Sequence, residues 1–147
     1  MLIYIGREGM KRSAPTYLLL IEDDPVDIYV IQRIVADFGQ DLQLRVIPDG
    51  MEALLFLRQT PLLAPASRPA LILLDLKLPQ LDGALLLPQI RQLPAYQATP
   101  IIVFSGTPKE REGERCFALG ATAYVQKSTD FAGFCAKVKG LLQQWLP

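Results

Sequence analysis

The sequence predicts an α/β fold in which five strands alternate with five helices and form one parallel, doubly wound sheet. Short apolar runs, typical of strands buried on both faces, recur between segments whose apolar residues have helical spacing. Turn residues such as Pro48-Asp49-Gly50 and Asp82-Gly83 separate these segments. Regular alternation of strands and helices favours a sheet covered on both faces, with right-handed crossovers.

The composition narrows the classes of function. The 147 residues suit one domain with a substantial core, and the half that is apolar argues against disorder. Fifteen basic residues balance fifteen acidic ones, so we expect no direct binding of nucleic acid. The absence of histidine excludes a Ser-His-Asp triad and a histidine-based metal site.

Cellular location is predicted from what the sequence lacks. No apolar run approaches the ~20 residues needed to span a bilayer, and the N-terminus does not resemble a signal peptide. Cys116 and Cys135 are too few for a disulfide framework, so we expect buried free thiols. A cytoplasmic protein without membrane contact is therefore predicted.

Residues 1–16 show no clear pattern and are expected to form a mobile N-terminal extension, with either Met1 or Met10 as the true start. The domain itself is predicted over residues 17–147. Because the chain stops two residues after Trp145, output is expected through a partner protein or through self-association.

The first strand is predicted over Tyr17 to Ile21, an apolar run that ends in Glu22-Asp23-Asp24-Pro25. Asp24 fits the N-cap of the next helix, since proline is favoured at the first helical position. That helix is predicted over Val26 to Phe38, before Gly39. Capping leaves Glu22 and Asp23 unexplained.

The other elements follow from the same criteria: strands over residues 42–47, 70–74, 101–104 and 121–126, and helices over residues 51–58, 82–93, 109–119 and 130–145. Pro88 lies inside the third helix and is expected to bend it or shorten its first part. Apolar residues expected to face inward include Leu55, Phe117, Leu119 and Phe131.

Polar side chains stand at the ends of four predicted strands. Glu22 and Asp23 follow the first strand, Asp75 the third, Ser105 the fourth and Lys127 the fifth. In a sheet of order 2-1-3-4-5, these four strands are neighbours. Their carboxyl ends therefore converge at the switch point between strands one and three.

This group of side chains predicts phosphoryl chemistry. Three carboxylates in one place require a hard cation, and all-oxygen ligation with room for water suits Mg²⁺. Asp75 can then act as a nucleophile toward a phosphoryl group, with Lys127 as a point charge and Ser105 as a hydroxyl donor. Each residue alone is more often a solvated or turn residue, and their joint occurrence favours a functional site.

The same residues resemble the CheY-like receiver domains of two-component response regulators. The matching segments are Leu-Ile-Glu22-Asp23-Asp24-Pro25, Leu-Leu-Asp75-Leu-Lys-Leu-Pro79-Gln-Leu-Asp82-Gly83, Phe-Ser105-Gly-Thr and Gly120-Ala-Thr-Ala-Tyr124-Val-Gln-Lys127. The resemblance implies a flavodoxin-like fold with Asp75 as phospho-acceptor. It also implies a metal held by Glu22, Asp23, Asp75 and the Lys77 backbone carbonyl, and a switch pair formed by Ser105 and Tyr124.

The resemblance further implies a signalling role rather than conventional enzyme activity. The domain would take a phosphoryl group from a sensor histidine kinase, promote its own phosphorylation and dephosphorylation, and bind a downstream protein or a second copy of itself. The Asp-Pro-Val-Asp start of the first helix and the Pro-rich loop over residues 60–69 are similar to stand-alone regulators of cyanobacterial phytochrome kinases. A phytochrome-like kinase is therefore the expected partner.

Two departures from the family pattern and two alternatives remain. Ser128 follows Lys127 where the family usually has proline, commonly with a cis bond. The bond is therefore either trans, which would allow Lys127 to shift, or a strained cis form held by the surrounding structure. Lys77 adds a second cation near the phosphoryl.

An enzyme of haloacid dehalogenase type would carry aspartate, not Lys77, two residues after Asp75. A degenerate receiver that acts only as a scaffold conflicts with the intact Asp75, Ser105 and Lys127.

Overall fold

The computed structural model describes residues 16–39, 41–60 and 68–146. Its five main strands are β1 (Thr16–Ile21), β2 (Leu42–Ile47), β3 (Leu71–Leu74), β4 (Ile101–Ser105) and β5 (Ala123–Gln126). The helices are α1 (Pro25–Phe38), α2 (Gly50–Gln59), α3 (Leu86–Arg91), α4 (Lys109–Leu119) and α5 (Phe131–Trp145). The expected N-terminal extension and most of the Pro-rich loop lie outside the described residues and stay predictions.

The strands form one sheet in the order β2-β1-β3-β4-β5, with every neighbouring pair parallel. This confirms the predicted fold class and strand order. All four residues of β3 are fully buried, because the strand is covered on both faces. One face packs under α2, α3 and α4, and the other under α1 and α5.

The start of α1 follows the predicted capping pattern. The Asp24 side chain accepts hydrogen bonds from the backbone N–H groups of Val26 (2.9 Å) and Asp27 (3.3 Å). Pro25 occupies the first turn, where a missing N–H costs nothing. Since Asp24 directly follows Glu22 and Asp23, this cap fixes the start of α1 at the carboxyl edge of the sheet.

A short hairpin with two residues in each strand follows β3. The sequence did not predict it. Lys77–Leu78 pair antiparallel with Leu81–Asp82, and Gln80 in the turn has a positive φ of 58°. Gly83 closes the hairpin onto the end of β3, where a Cβ would lie 2.3 Å from the Asp75 carbonyl oxygen. Only glycine permits this close approach, so Gly83 helps to determine the backbone conformation around Asp75.

The third helix is shorter than predicted, as Pro88 suggested. Asp82 caps a 3₁₀ turn over Gly83–Leu85, and α3 ends at Arg91 rather than near Leu93. Proline has no N–H for the preceding turn, so the α-helical hydrogen bonds begin late.

Three expected inward-facing residues are instead exposed: Leu55 (51%), Phe117 (41%) and Phe131 (70%). The buried face of α2 runs through Ala53, Leu54 and Leu57, and that of α4 through Gly113 and Cys116. Leu55 and Phe117 therefore lie outside the buried faces of their helices. In α5 the buried face begins one turn later, at Phe134.

Cys116 is buried and Cys135 half-buried, and both are free thiols as expected. Within the described ranges, no helix is long and apolar enough to cross a membrane.

Candidate functional site

The candidate site lies where the carboxyl ends of four strands meet. The backbone N–H of Asp75 donates to the carbonyl of Ile21 (3.0 Å), which joins the end of β3 to that of β1. The N–H of Lys127 donates to the carbonyl of Ser105 (2.7 Å), which joins β5 to β4. The sheet therefore holds the predicted site residues at one edge by backbone hydrogen bonds.

Glu22, Asp23 and Asp75 form an acidic cluster. One carboxylate oxygen from each lies within 4.8 Å of the other two, with Glu22 and Asp75 buried and Asp23 exposed. Burial and the charge of Asp75 raise the pKa of Glu22 to about 7, although hydrogen bonding to Lys127 acts in the opposite direction.

This donor set fits a hard divalent cation. Mg²⁺ prefers oxygen ligands at ~2.1 Å in octahedral geometry, so oxygens on opposite sides of the ion lie ~4.2 Å apart. The 4.8 Å limit on the separations within the cluster is close to that spacing, and the exposed Asp23 leaves the site open to water ligands. The three carboxylates can therefore hold such an ion.

Lys127 is held among three carboxylates. Its ammonium nitrogen lies 2.7 Å from Glu22 Oε1, 2.7 Å from Asp27 Oδ2 and 3.8 Å from Asp75 Oδ1. Burial lowers the pKa of Lys127, but hydrogen bonds to Asp27 and Glu22 and the charges of Glu22 and Asp75 outweigh it, so the pKa is raised. The side chain is only 13% exposed, so it is a fixed cation of the site.

Asp27 was missed by the sequence reasoning, which did not assign its carboxylate to the site. A signal was present, because Asp27 lies in the first turn of a helix that begins at this edge of the sheet. An acidic residue there is ordinarily explained by the helix dipole. The contact with Lys127 depends on the rotation of α1, which the local pattern does not specify.

Ser105 and Tyr124 meet at the loop between β4 and α4. Ser105 is fully buried, and its hydroxyl accepts a hydrogen bond from the N–H of Thr107 (3.3 Å). The Tyr124 hydroxyl donates to the Thr107 carbonyl (2.6 Å), and the ring is buried in this structure. Burial is the main cause that raises the pKa of Tyr124. Both expected switch residues therefore contact the same loop residue.

An open cleft of about 550 Å³ leads to the cluster and is lined by Asp23, Asp24, Pro25, Asp27, Asp75, Lys77, Gly106 and Lys127. Lys77 is exposed on the hairpin and forms part of the wall of this cleft. The cleft leaves room for a phosphoryl-sized group in front of Asp75.

The Lys127–Ser128 peptide bond is trans, since no cis peptide bond occurs among the described residues. Of the two alternatives left open by the sequence, the trans form is therefore confirmed. The ammonium group of Lys127 nevertheless reaches the site. The Ser128 hydroxyl donates instead to Asp130 (2.7 Å), the N-cap of α5.

Comparison with known proteins agrees with this geometry. The family model described as response regulator receiver domain matches residues 18–139. The chain belongs to this receiver-domain family. The response regulator Rcp1 of Synechocystis sp. (strain ATCC 27184 / PCC 6803 / Kazusa) is 32% identical, covering 92% of each chain. The phosphorylated cyanobacterial phytochrome response regulator RcpA is 36% identical, with a TM-score of 0.82 over 90% of this chain and 95% of RcpA.

Two similar solved structures contain a metal ion. The Mn²⁺-bound form of Rcp1 has a TM-score of 0.80 at 32% identity and covers 90% of this chain and 95% of its own. The receiver domain of a sensor histidine kinase from Pseudomonas aeruginosa PAO1, with magnesium in its active-site cleft, has a TM-score of 0.71 at 27% identity. That match covers 90% of this chain and 98% of the other.

Proposed function

We propose that residues 17–147 form a response regulator domain that accepts a phosphoryl group on Asp75 from a sensor histidine kinase in a Mg²⁺-dependent reaction. The observation that carries the proposal is the place of Asp75. It directly follows the central strand, lies in the acidic cluster and faces the cleft beside Lys127.

In the proposed reaction a carboxylate oxygen of Asp75 attacks the phosphorus of a kinase phosphohistidine. The phosphorus–nitrogen bond breaks, and the imidazole leaves after taking up a proton. A bound Mg²⁺, held by Glu22, Asp23, Asp75 and the Lys77 carbonyl, would offset the negative charge of the transferred group. Lys127 and the Ser105 hydroxyl would bind phosphoryl oxygens.

Similarity to RcpA and Rcp1 supports a kinase of the phytochrome type as the phosphoryl donor. The enzyme alternative of haloacid dehalogenase type has no support at the site. The residue two positions after Asp75 is Lys77, an exposed cation, where that chemistry needs a carboxylic acid.

The proposed output surface is built from α4, β5 and α5. Only Gly113 and Cys116 of α4 are buried, so the helix is weakly anchored, as expected of a switching element. An exposed ion pair between Arg115 and Asp82 (2.6 Å) anchors the helix only weakly, because water screens both charges. Movement of the Ser105 hydroxyl toward the phosphoryl would break its contact with the Thr107 N–H and let α4 shift toward a conformation that binds a target protein or a second copy.

The test is phosphorylation by acetyl phosphate with Mg²⁺, followed by intact-mass measurement. One added phosphoryl group is expected on the wild-type chain and none on Asp75→Asn. Asp37→Asn, the same acid-to-amide change at an exposed position near the end of α1, should behave as wild type. Undiminished labelling of Asp75→Asn would contradict the proposal.

A further inference from the structure

Among the residues that the structure describes, Asp27 is the one carboxylate in contact with Lys127 that the proposed reaction does not use. Its Oδ2 lies 2.7 Å from the ammonium nitrogen, and its side chain is 19% exposed. Such a short contact between largely buried groups is a charge-assisted hydrogen bond rather than a loose surface pair. Asp27 therefore helps to determine where the ammonium group lies.

The position of Asp27 is fixed by the backbone. It is the third residue of α1, and its N–H donates to the Asp24 cap at 3.3 Å. Asp27 does not belong to the cluster of three carboxylates that could hold a metal. When Glu22 binds a metal ion, Asp27 remains available to bind Lys127.

The distances suggest what this contact achieves. At 3.8 Å, Lys127 and Asp75 are too far apart for a hydrogen bond, which needs ~2.7–2.9 Å for such a pair. The Asp75 carboxylate is therefore not covered by the ammonium group and stays free to attack. Both side chains line the same cleft, so an oxygen of a phosphoryl group on Asp75 can enter between them.

We propose that Asp27 is a positioning residue that holds the Lys127 ammonium back from Asp75, leaving the nucleophile free and space for a phosphoryl oxygen. This inference rests on the proposed phosphorylation of Asp75. Without the Asp27 charge, Lys127 loses the carboxylate that the metal does not use, and Glu22 and Asp75 are the described carboxylates left near it. The ammonium then closes onto Asp75 and occupies the place of the phosphoryl oxygens.

The experiment measures the initial rate of phosphorylation by acetyl phosphate at saturating Mg²⁺. Asp27→Asn should be about tenfold slower than wild type, because displacing a positioned group by ~1 Å costs up to ~100-fold. Asp27→Glu, which keeps the charge, should recover most of the rate, and Asp37→Asn should match wild type. An unchanged rate for Asp27→Asn, or an equal loss for Asp27→Glu, overturns the inference.

A double-mutant cycle separates positioning from general damage to α1. In a Lys127→Met background, followed over long incubations, Asp27→Asn should cause no further slowing, because the group that Asp27 positions is gone. An equal loss in both backgrounds means that Asp27 acts on the helix and overturns the inference. If wild type is labelled no more than Asp75→Asn, the proposed function fails and the inference fails with it. Labelling of wild type with normal rates in Asp27→Asn rejects the inference alone.

Discussion

Lowering the pH from 8 to 6 should weaken Mg²⁺ binding by protonating Glu22. Burial and the neighbouring charge of Asp75 raise the pKa of Glu22 to about 7, and a carboxyl group must lose its proton to bind a metal ion. The sequence contains no histidine, so no imidazole titrates in this range. Glu22 is thus a side chain of the proposed metal site that changes charge between these two pH values.

The magnitude follows from the pKa. At pH 6 about ten Glu22 carboxyls are protonated for each ionised one, and at pH 8 only about one in ten is protonated. The apparent affinity for Mg²⁺ should therefore be about tenfold lower at pH 6. At pH 7, binding should release about half a proton per Mg²⁺ ion.

Without Mg²⁺ the same group makes stability depend on pH in the opposite sense. The pKa rises from 4.5 to about 7 on folding, so between these values folded Glu22 binds a proton that the unfolded chain has released. Its contribution to stability, roughly 3 kcal/mol, is fully present below about pH 4.5 and is lost as the pH rises through about 7. Mg²⁺ should restore stability above pH 7, because it binds the folded state.

Titration calorimetry at pH 6 and 8 measures the affinities, and two buffers of different ionisation enthalpy at pH 7 measure proton release. The melting temperature should rise more with millimolar Mg²⁺ at pH 8 than at pH 6, and less with NaCl of matched ionic strength. Glu22→Gln should bind Mg²⁺ weakly and without this pH dependence. Equal affinity at both pH values, or the same pH dependence in Glu22→Gln, would refute the reasoning.

Two further predictions concern the phosphorylated domain. Lys77→Ala should lose its phosphoryl group faster than wild type, since the ammonium in the wall of the cleft obstructs the attacking water; a slower or unchanged loss, followed by intact mass, would contradict this. Beryllofluoride, a stable phosphoryl mimic, should change amide hydrogen exchange most within Thr107 to Tyr124 outside the site, and Ser105→Ala should abolish that change. Changes limited to the surroundings of Asp23 and Asp75 would argue against output through α4.

The sequence was sufficient for the sheet because a strand buried on both faces leaves an unbroken apolar run. Leu71 to Leu74 show this most clearly, and the polar residue after the run marks the carboxyl edge of the sheet. Parallel neighbours then bring such residues together wherever strand order makes them adjacent. The convergence of Asp75 with Glu22 and Asp23 follows from topology and needs no knowledge of side-chain packing.

The features that could not be predicted from the sequence depend on how each helix is rotated about its axis and on which of its residues first contact the core. Phe117 is apolar and helical, yet the face of α4 that meets the core carries Gly113 and Cys116 instead. The helix dipole is a sufficient local explanation for Asp27 in the first turn of α1. The local sequence therefore gives no reason to expect its contact with Lys127, 100 positions away. The hairpin after β3 depends on the close approach of Gly83 to Asp75, which is a tertiary contact.

Lys127 is positioned without the proline that usually follows it in the family. The Ser128 hydroxyl and the N–H of Gly133 both bind the Asp130 carboxylate, at 2.7 and 2.8 Å, which fastens the loop after β5 to the start of α5. The packing is close, since a Cβ on Gly133 would lie 2.4 Å from the Ser128 hydroxyl oxygen.

The ammonium of Lys127 is thereby connected to two helices on one face of the sheet, to α1 through Asp27 and to α5 through this loop. Ser105 and Tyr124 instead connect the site to α4 on the opposite face. If Lys127 moves toward the phosphoryl group, the first turns of α1 and α5 should respond together with α4. The hydrogen-exchange comparison tests this, because Lys127→Met should remove the response of α1 and α5; a response of these turns that persists in this variant would show that Lys127 does not transmit it.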